Sequence, residues 1–365
     1  MRPTAGSARL ISWAELADER PELVETLGLE PSFKARSILG RQGEEAPTAV
    51  LRLPNAIVGT VGILFEDYLL ASDVHYLPLD WDTLAWSPYQ VLEEGRYGYD
   101  LLVEQEVTGA ALYVDTLVGV RNFSHFVRET LPYGRIQSDL RGSGTNAPVL
   151  LPQWRFPSQD WLSQVHFTDV VRRGAKWIHV DELLVAPRQW CVELSGVNAP
   201  SLRVPATLLK RASRLPAGLR AIQEAAPVGP PIYLWREWGA FGIDVPIVGR
   251  DFDNGAEVDK CFSERGFELV DPLAVPVAEV IRKVAAAPFV AGLHGAQMAH
   301  ILWANSRSIQ LELIGPYGVS ENHRALAEIV GVRTIHLASH LTSEGKSAMS
   351  VDELCSVLDD LGGRA

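Results

Sequence analysis

The pattern of apolar and polar positions divides this chain into a strand-rich first half and a second half in which strands and helices alternate. Ser12-Trp13-Ala14-Glu15 has the spacing of a capping box, a hydroxyl answered three residues on by a carboxylate, and predicts a short helix. From about Ala49 to Ala71, short apolar runs are broken by Asn55, Gly59, Gly62 and Asp67. Those runs are Val50-Leu51, Ile57-Val58, Ile63-Leu64-Phe65 and Tyr68-Leu69-Leu70. They predict short β-strands joined by tight turns. Residues 72–108 are aromatic and irregular, and no element is predicted there. A strand over Ala111–Val120 and a helix near Ser124–Leu131 follow, with Pro132 ending the helix. Arg141-Gly142-Ser143-Gly144-Thr145-Asn146 reads as a loop, and Pro152 to about Val185 alternates helical and strand-like segments.

The second half is more regular. Strands are predicted at Ile232–Trp235, Phe267–Val270, Phe289–Leu293, Ile309–Ile314 and Thr334–Leu337. Helices are predicted at Ala256–Arg265, stopped by Gly266, and at Glu321–Val330. Val277, Val280, Ile281 and Val284 share one helical face. Strands alternating with helices imply a parallel sheet with right-handed crossovers, and ligands sit beyond the carboxyl ends of such strands. The proline-rich stretch Ala225–Pro231 reads as a linker. It separates an N-terminal domain (1–224) from a C-terminal domain (225–340). A last helical segment (341–365) is expected to pack back on the N-terminal domain.

Composition narrows the classes. The 365 residues carry a formal net charge of -12, which argues against nucleic acid and against a broad polybasic membrane face, though a local membrane-facing patch stays open. No apolar signal-peptide core and no run of about 18 apolar residues is present, so a cytoplasmic protein, at most at the inner face of a membrane, is expected. Cys191, Cys261 and Cys355 are widely spaced without a CxxC pair and read as separate reduced thiols.

Three constellations could carry chemistry. Phe289-Val290-Ala291-Gly292-Leu293-His294-Gly295-Ala296 is a buried strand entering a helix through a small-residue turn. Gly295 and Ala296 would let the backbone approach a ligand, and the helix N-terminus would suit a diphosphate, with His294 donating to it. The plainer alternative makes His294 a helix cap. Arg236, at the end of the strand Ile232–Trp235, and Arg250 could neutralise phosphate, or be solvated surface charges. Glu312, between Leu311 and Leu313, is costly to bury without a partner; ribose hydroxyls or a structural hydrogen bond would serve. In the first half, Asn122-Phe123-Ser124-His125-Phe126-Val127-Arg128-Glu129 places His125 and Glu129 on one helix face. His125 could be a general base poised by Glu129, or a histidine packed on the sheet. Asp80-Trp81-Asp82 and Asp251-Phe252-Asp253 have a metal-diphosphate spacing, but neither follows a convincing nucleotide-binding strand, so no metal site is expected.

Taken in order over roughly residues 45–340, these pieces resemble glycosyltransferase family 61. They are Asn122, Phe123, His125, Glu129 and Leu131-Pro132; the strand ending in Arg236; Arg250 and Asn254; Gly266-Phe267; His294-Gly295-Ala296; and a strand bearing Glu312. Trp235 stands where family members usually carry Ser, and Gln297 where Gly commonly follows. The resemblance implies an α/β, GT-B-like fold: two Rossmann-like domains facing an interdomain cleft, the first with additional short strands. It also implies an inverting, metal-independent transferase with no cofactor. Its expected partners are a nucleotide-sugar donor, UDP-linked, and a glycan or glycolipid acceptor in capsule or other surface-polysaccharide synthesis. His125 and Glu129 would be catalytic and Asn122 on the acceptor side. Arg236, Arg250, His294, Gly295, Ala296 and Glu312 would hold the donor. The rivals are a noncatalytic glycan- or nucleotide-binding protein on the same fold, or a pyruvyl or phosphosugar transferase.

Overall fold

The computed structural model describes residues 2–11, 13–27, 49–59, 62–71, 89–93, 96–114, 122–131, 133–154, 156–174, 177–186, 228–237, 252–316 and 322–362. The chain forms two compact units, Met1–Trp190 and Cys191–Ala365. This division falls before the expected limit at residue 224.

The first unit is built on an eleven-stranded sheet. Its strands are β1 (Arg2–Ile11), β2 (Val24–Thr26), β3 (Ala49–Val58), β4 (Gly62–Phe65), β5 (Tyr68–Ala71) and β6 (Tyr89–Glu93). They continue as β7 (Arg96–Val103), β8 (Gln105–Tyr113), β9 (Val149–Leu151), β10 (Val170–Arg172) and β11 (Ile178–Val185). Side by side they run β10-β9-β8-β11-β3-β4-β5-β1-β7-β6, with β2 beside β3. The four strands β10, β9, β8 and β11 are mutually parallel. Numbered along the chain from β8, they stand in the order 3-2-1-4 of a Rossmann half. After the short helix α1 (Trp13–Glu19) that follows β1, helices fill the crossovers of these strands: α2 (Phe123–His125) and α3 (Tyr133–Gly142) between β8 and β9, and α4 (Pro157–His166) between β9 and β10. The other strands form a largely antiparallel extension, so the expected additional strands outnumber the Rossmann-like part they were added to. The turn expected at Asn55 does not form: Asn55 lies inside the continuous strand β3, at φ 54°. Glu66-Asp67 closes a two-residue hairpin, with Phe65 opposite Tyr68 and Glu66 at φ 52°.

The second unit has five parallel strands: β12 (Ile232–Leu234), β13 (Glu268–Val270), β14 (Phe289–Leu293), β15 (Ile309–Ile314) and β16 (Arg333–Ala338). They lie within a residue or two of the predicted strands. Their order, β13-β12-β14-β15-β16, is the doubly wound 2-1-3-4-5. Its helices are α5 (Gly255–Glu264), α6 (Val277–Ala286), α7 (Asn322–Val330) and α8 (Val351–Gly362), with a 3-10 helix at Ala296–Trp303. Gly266 ends α5 in the left-handed region at φ 75°, which glycine adopts without a Cβ penalty.

Alternation along the strands sorts the two faces. Tyr233, Phe289, Ala291, Leu293, Leu311, Leu313 and Leu337 share a core with Val258, Cys261 and Phe262 of α5 and Leu354, Leu358 and Leu361 of α8. Gly292, Glu312 and His336 alternate with these and face the other way. They form one row across three strands, Gly292 opposite Glu312 and Glu312 opposite His336. The 3-10 helix comes down onto this face at Gly292, where a Cβ would meet Met298 Sδ at 2.4 Å, and α7 joins it there.

Within the second unit, α8 buries its apolar side in the core, and Arg265 pairs with Asp359 at 2.8 Å. One expectation is corrected here: the cysteines are not all separate thiols. Packing of α5 on α8 brings Cys261 and Cys355 into a disulfide, Cα atoms 6.2 Å apart; Cys191 lies outside the described residues. Among the described residues, no helix is long and apolar enough to cross a membrane.

Candidate functional site

In the second unit the strand order reverses between β12 and β14, and such a switch point opens a crevice beyond the carboxyl ends. Leu234 and Gly292 are opposite each other there, so Arg236 and His294, each two residues further on, leave adjacent strands side by side. Arg236 is half-buried. Both chain exits are pinned. The Trp235 amide donates to Val270 O at 2.9 Å and the His294 amide to Leu313 O at 2.7 Å. Trp235 and Gln297, the two departures from the family pattern, are each engaged. The Trp235 indole donates to Asp259 Oδ2 at 2.8 Å, and Gln297 Nε2 to Leu293 O at 2.9 Å.

Beneath this exit lies a buried polar array. Glu312 is 0% exposed. Its Oε1 accepts from His294 Nδ1 and from His323 Nδ1, both at 2.7 Å. Its Oε2 lies 3.2 Å from His336 Nε2. Burial pushes the Glu312 carboxyl up, but the charge of His323 and the hydrogen bonds from His294 and His323, with His336 close to the other oxygen, prevail and hold it well below the usual carboxylate range. Sequence reasoning expected Glu312 to bind ribose. The carboxylate is fully buried and accepts from two histidines, as the alternative of a structural hydrogen bond would have it. Sequence reasoning missed His323 and His336. Their signal was a histidine in an amphipathic helix and another in an apolar strand, but only the register puts His336 opposite Glu312.

His294, Glu312 and His323 also bring three ligand-type atoms within 4.8 Å of one another, a set that could hold a cation. The 2.7 Å separations are hydrogen-bond lengths. Ligands around a tetrahedral zinc, with bonds of about 2.0–2.1 Å, stand about 3.3 Å apart. Asp253 of the second Asp-x-Asp spacing pairs instead with Lys346 at 3.0 Å. Asp80, Asp82 and Asp251 lie outside the described residues, as does Arg250.

The turn after His294 differs from the expected one. Ala296–Trp303 winds as a 3-10 helix, in which hydrogen bonds align less well than in an α-helix. Gly295 is extended, φ 165°, a conformation open to any residue. A Cβ there would meet Oε1 of the Gln297 side chain at 2.8 Å, a flexible neighbour. Ala296 is simply the first residue of the 3-10 helix.

In the first unit Asn122 caps the next helix, its Oδ1 accepting from the Ser124 and His125 amides at 3.0 and 3.3 Å. The helix opens as α2 and continues as a π-helical turn, Phe126–Thr130, a form frequent at functional sites. His125 is half-buried. Glu129 lies within the π turn; its side chain is outside the described part. Of the strand expected over Ala111–Val120, the first residues belong to β8 (Gln105–Tyr113), which begins earlier, and residues 115–121 lie outside the described residues. His166 fixes the far end of the segment. Its Nε2 donates to Leu131 O, and its ring lies where a Cβ on Gly134 would be.

The family model described as Glycosyltransferase 61 matches residues 123–309, just over half of the chain. The chain belongs to glycosyltransferase family 61. It is a glycosyltransferase. No curated protein matches it. The family 61 match spans His125, Glu129, Arg236 and His294, and stops three residues before Glu312. The buried carboxylate and its two other histidines therefore lie outside it.

Proposed function

We propose that this glycosyltransferase takes its sugar from a nucleotide-sugar donor of the UDP type and transfers it with inversion to a glycan or glycolipid acceptor. One observation carries the reading: Arg236 and His294 leave adjacent strands on either side of the second unit's switch point. Two nitrogen donors there suit a diphosphate. A GT-B arrangement of the two units and a role in surface-polysaccharide synthesis at the cytoplasmic face belong to the same proposal.

The acceptor hydroxyl attacks the anomeric carbon and gives its proton to His125, with Asn122 and Glu129 on the acceptor side. The bond from that carbon to the diphosphate oxygen breaks, and its electron pair leaves with the nucleoside diphosphate. Arg236 and His294 offset the charge that develops, with Arg250 assisting and no metal cofactor invoked. A thermal-shift screen with UDP, GDP, CMP and phosphoenolpyruvate tests the donor class. UDP should raise the melting temperature, with EDTA present or absent. Stabilisation by phosphoenolpyruvate alone, or a UDP shift that needs manganese, would overturn the reading.

A further inference from the structure

The function of a strand-end histidine depends on which ring nitrogen is committed. In His294, Nδ1 is committed to Glu312 Oε1 at 2.7 Å. The carboxylate can only accept, so Nδ1 carries the proton and Nε2 is left on the opposite side of the ring. The side chain of Glu312 is 0% exposed and that of His323 4%, whereas that of His294 is 16% exposed. The array therefore reaches solvent at His294, and at His336, whose side chain is 20% exposed.

We propose that Glu312 is a positioning residue for donor binding. It fixes the direction of His294 by accepting from Nδ1–H, so that, with both ring nitrogens protonated, Nε2–H donates to the diphosphate, while His323 and His336 hold the carboxylate in place. This rests on the nucleotide-sugar reading for its ligand but not for its geometry. Three features support it beyond the single contact. The row Gly292–Glu312–His336 is set by strand register rather than by a mobile loop. His323 comes from α7 and donates to the same oxygen, so the carboxylate is gripped from two elements. His294 is also tied through its own amide to Leu313 O, in the residue next to Glu312. A buried carboxylate with fewer partners would be costly, and the charge-assisted bonds from the histidines offset that cost. The surrounding elements carry His323 on α7, His336 on β16, Arg236 beyond β12 and His300 on the 3-10 helix, besides Arg333 of β16 and the exposed pair Arg324–Glu328 of α7. Burial pushes His300 down to about 3, so it stays neutral.

The test combines two measurements on the full chain. The first is imidazole 15N NMR of selectively labelled protein without ligand. His294 should show a protonated Nδ1 in the wild type and lose that preference in Glu312→Gln. The second is a double-mutant cycle on UDP affinity. Glu312→Gln alone should weaken UDP by about 10- to 100-fold, the loss of one hydrogen bond to a charged group. In a His294→Ala background it should cost almost nothing more, because Glu312 acts through His294. Glu312→Asp, with circular dichroism as a control, separates unfolding from loss of function. The proposal is overturned by an unprotonated Nδ1 in the wild type, by additive losses, or by stoichiometric zinc or manganese that Glu312→Gln releases. If the wild type binds no nucleotide, the donor reading fails, and the NMR result still decides the positioning.

Discussion

A histidine at the end of a strand can cap a turn, hold a phosphate or move a proton, and its neighbours decide which. His294 stood out as a candidate in the sequence because it follows an apolar strand and precedes small residues. The contacts of Glu312 were not legible, because its partners arrive from the end of β14, from α7 and from β16. His125 differs: its cap, Asn122, is local and readable, while the π turn after it is not. His125→Ala should lower turnover by about a hundred- to ten-thousand-fold and leave UDP affinity within a few-fold, as loss of a general base would. Steady-state kinetics beside UDP titration checks this, and near-wild-type turnover would make Glu129 the next candidate. His166 sets a second expectation. Burial pushes it down to about 4, against which the Leu131 carbonyl pulls it up. Its folded pKa is below the ordinary 6.5, so the unfolded chain binds more protons between the two values. Stability is then complete above about pH 6.5 and lost as pH falls toward 4, by about 3 kcal/mol. Urea unfolding of His166→Gln, which keeps a donor but cannot charge, should show a shallower pH slope; an unchanged slope would contradict the assignment.

The alternating strands and helices of the second unit could be read directly, because each buries a face with its own period. The same periods left β1, β6 and β7 unread. β1 carries Pro3, Gly6 and Ser7, and becomes a strand by pairing with β7 along eight residues, a partner far away in sequence. Residues 89–103 look irregular for the same reason: Tyr97, Leu101 and Val103 find their core only once β1 and β5 are in place. Two helices were placed correctly but wound differently, as the π turn after α2 and the 3-10 helix after His294. The disulfide was unreadable too, since it depends on α8 returning to α5 across 94 residues. Closing a loop of that length should stabilise the fold by about 2–4 kcal/mol. Urea unfolding with and without reductant should show that difference, and Cys355→Ser should abolish it. Equal midpoints would mean that the two thiols are not joined.

At the scale of the whole molecule, the two units repeat one theme. Each has a parallel segment with a reversal of strand order: 3-2-1-4 in the first, with the Asn122–Thr130 helix the first described element after β8, and 2-1-3-4-5 in the second. The acidic net charge of -12 makes a local cationic group such as Arg236 more important for holding an anionic donor. The central claim is that the second unit's switch point holds the donor's diphosphate. Calorimetric titration of UDP into wild type, Arg236→Ala, His294→Ala and His125→Ala tests it most directly. The account predicts binding to the wild type and to His125→Ala within a few-fold of each other, and affinity at least ~10-fold weaker for Arg236→Ala and His294→Ala, the loss of one charge-assisted hydrogen bond. Equal UDP affinity in all four proteins would contradict it.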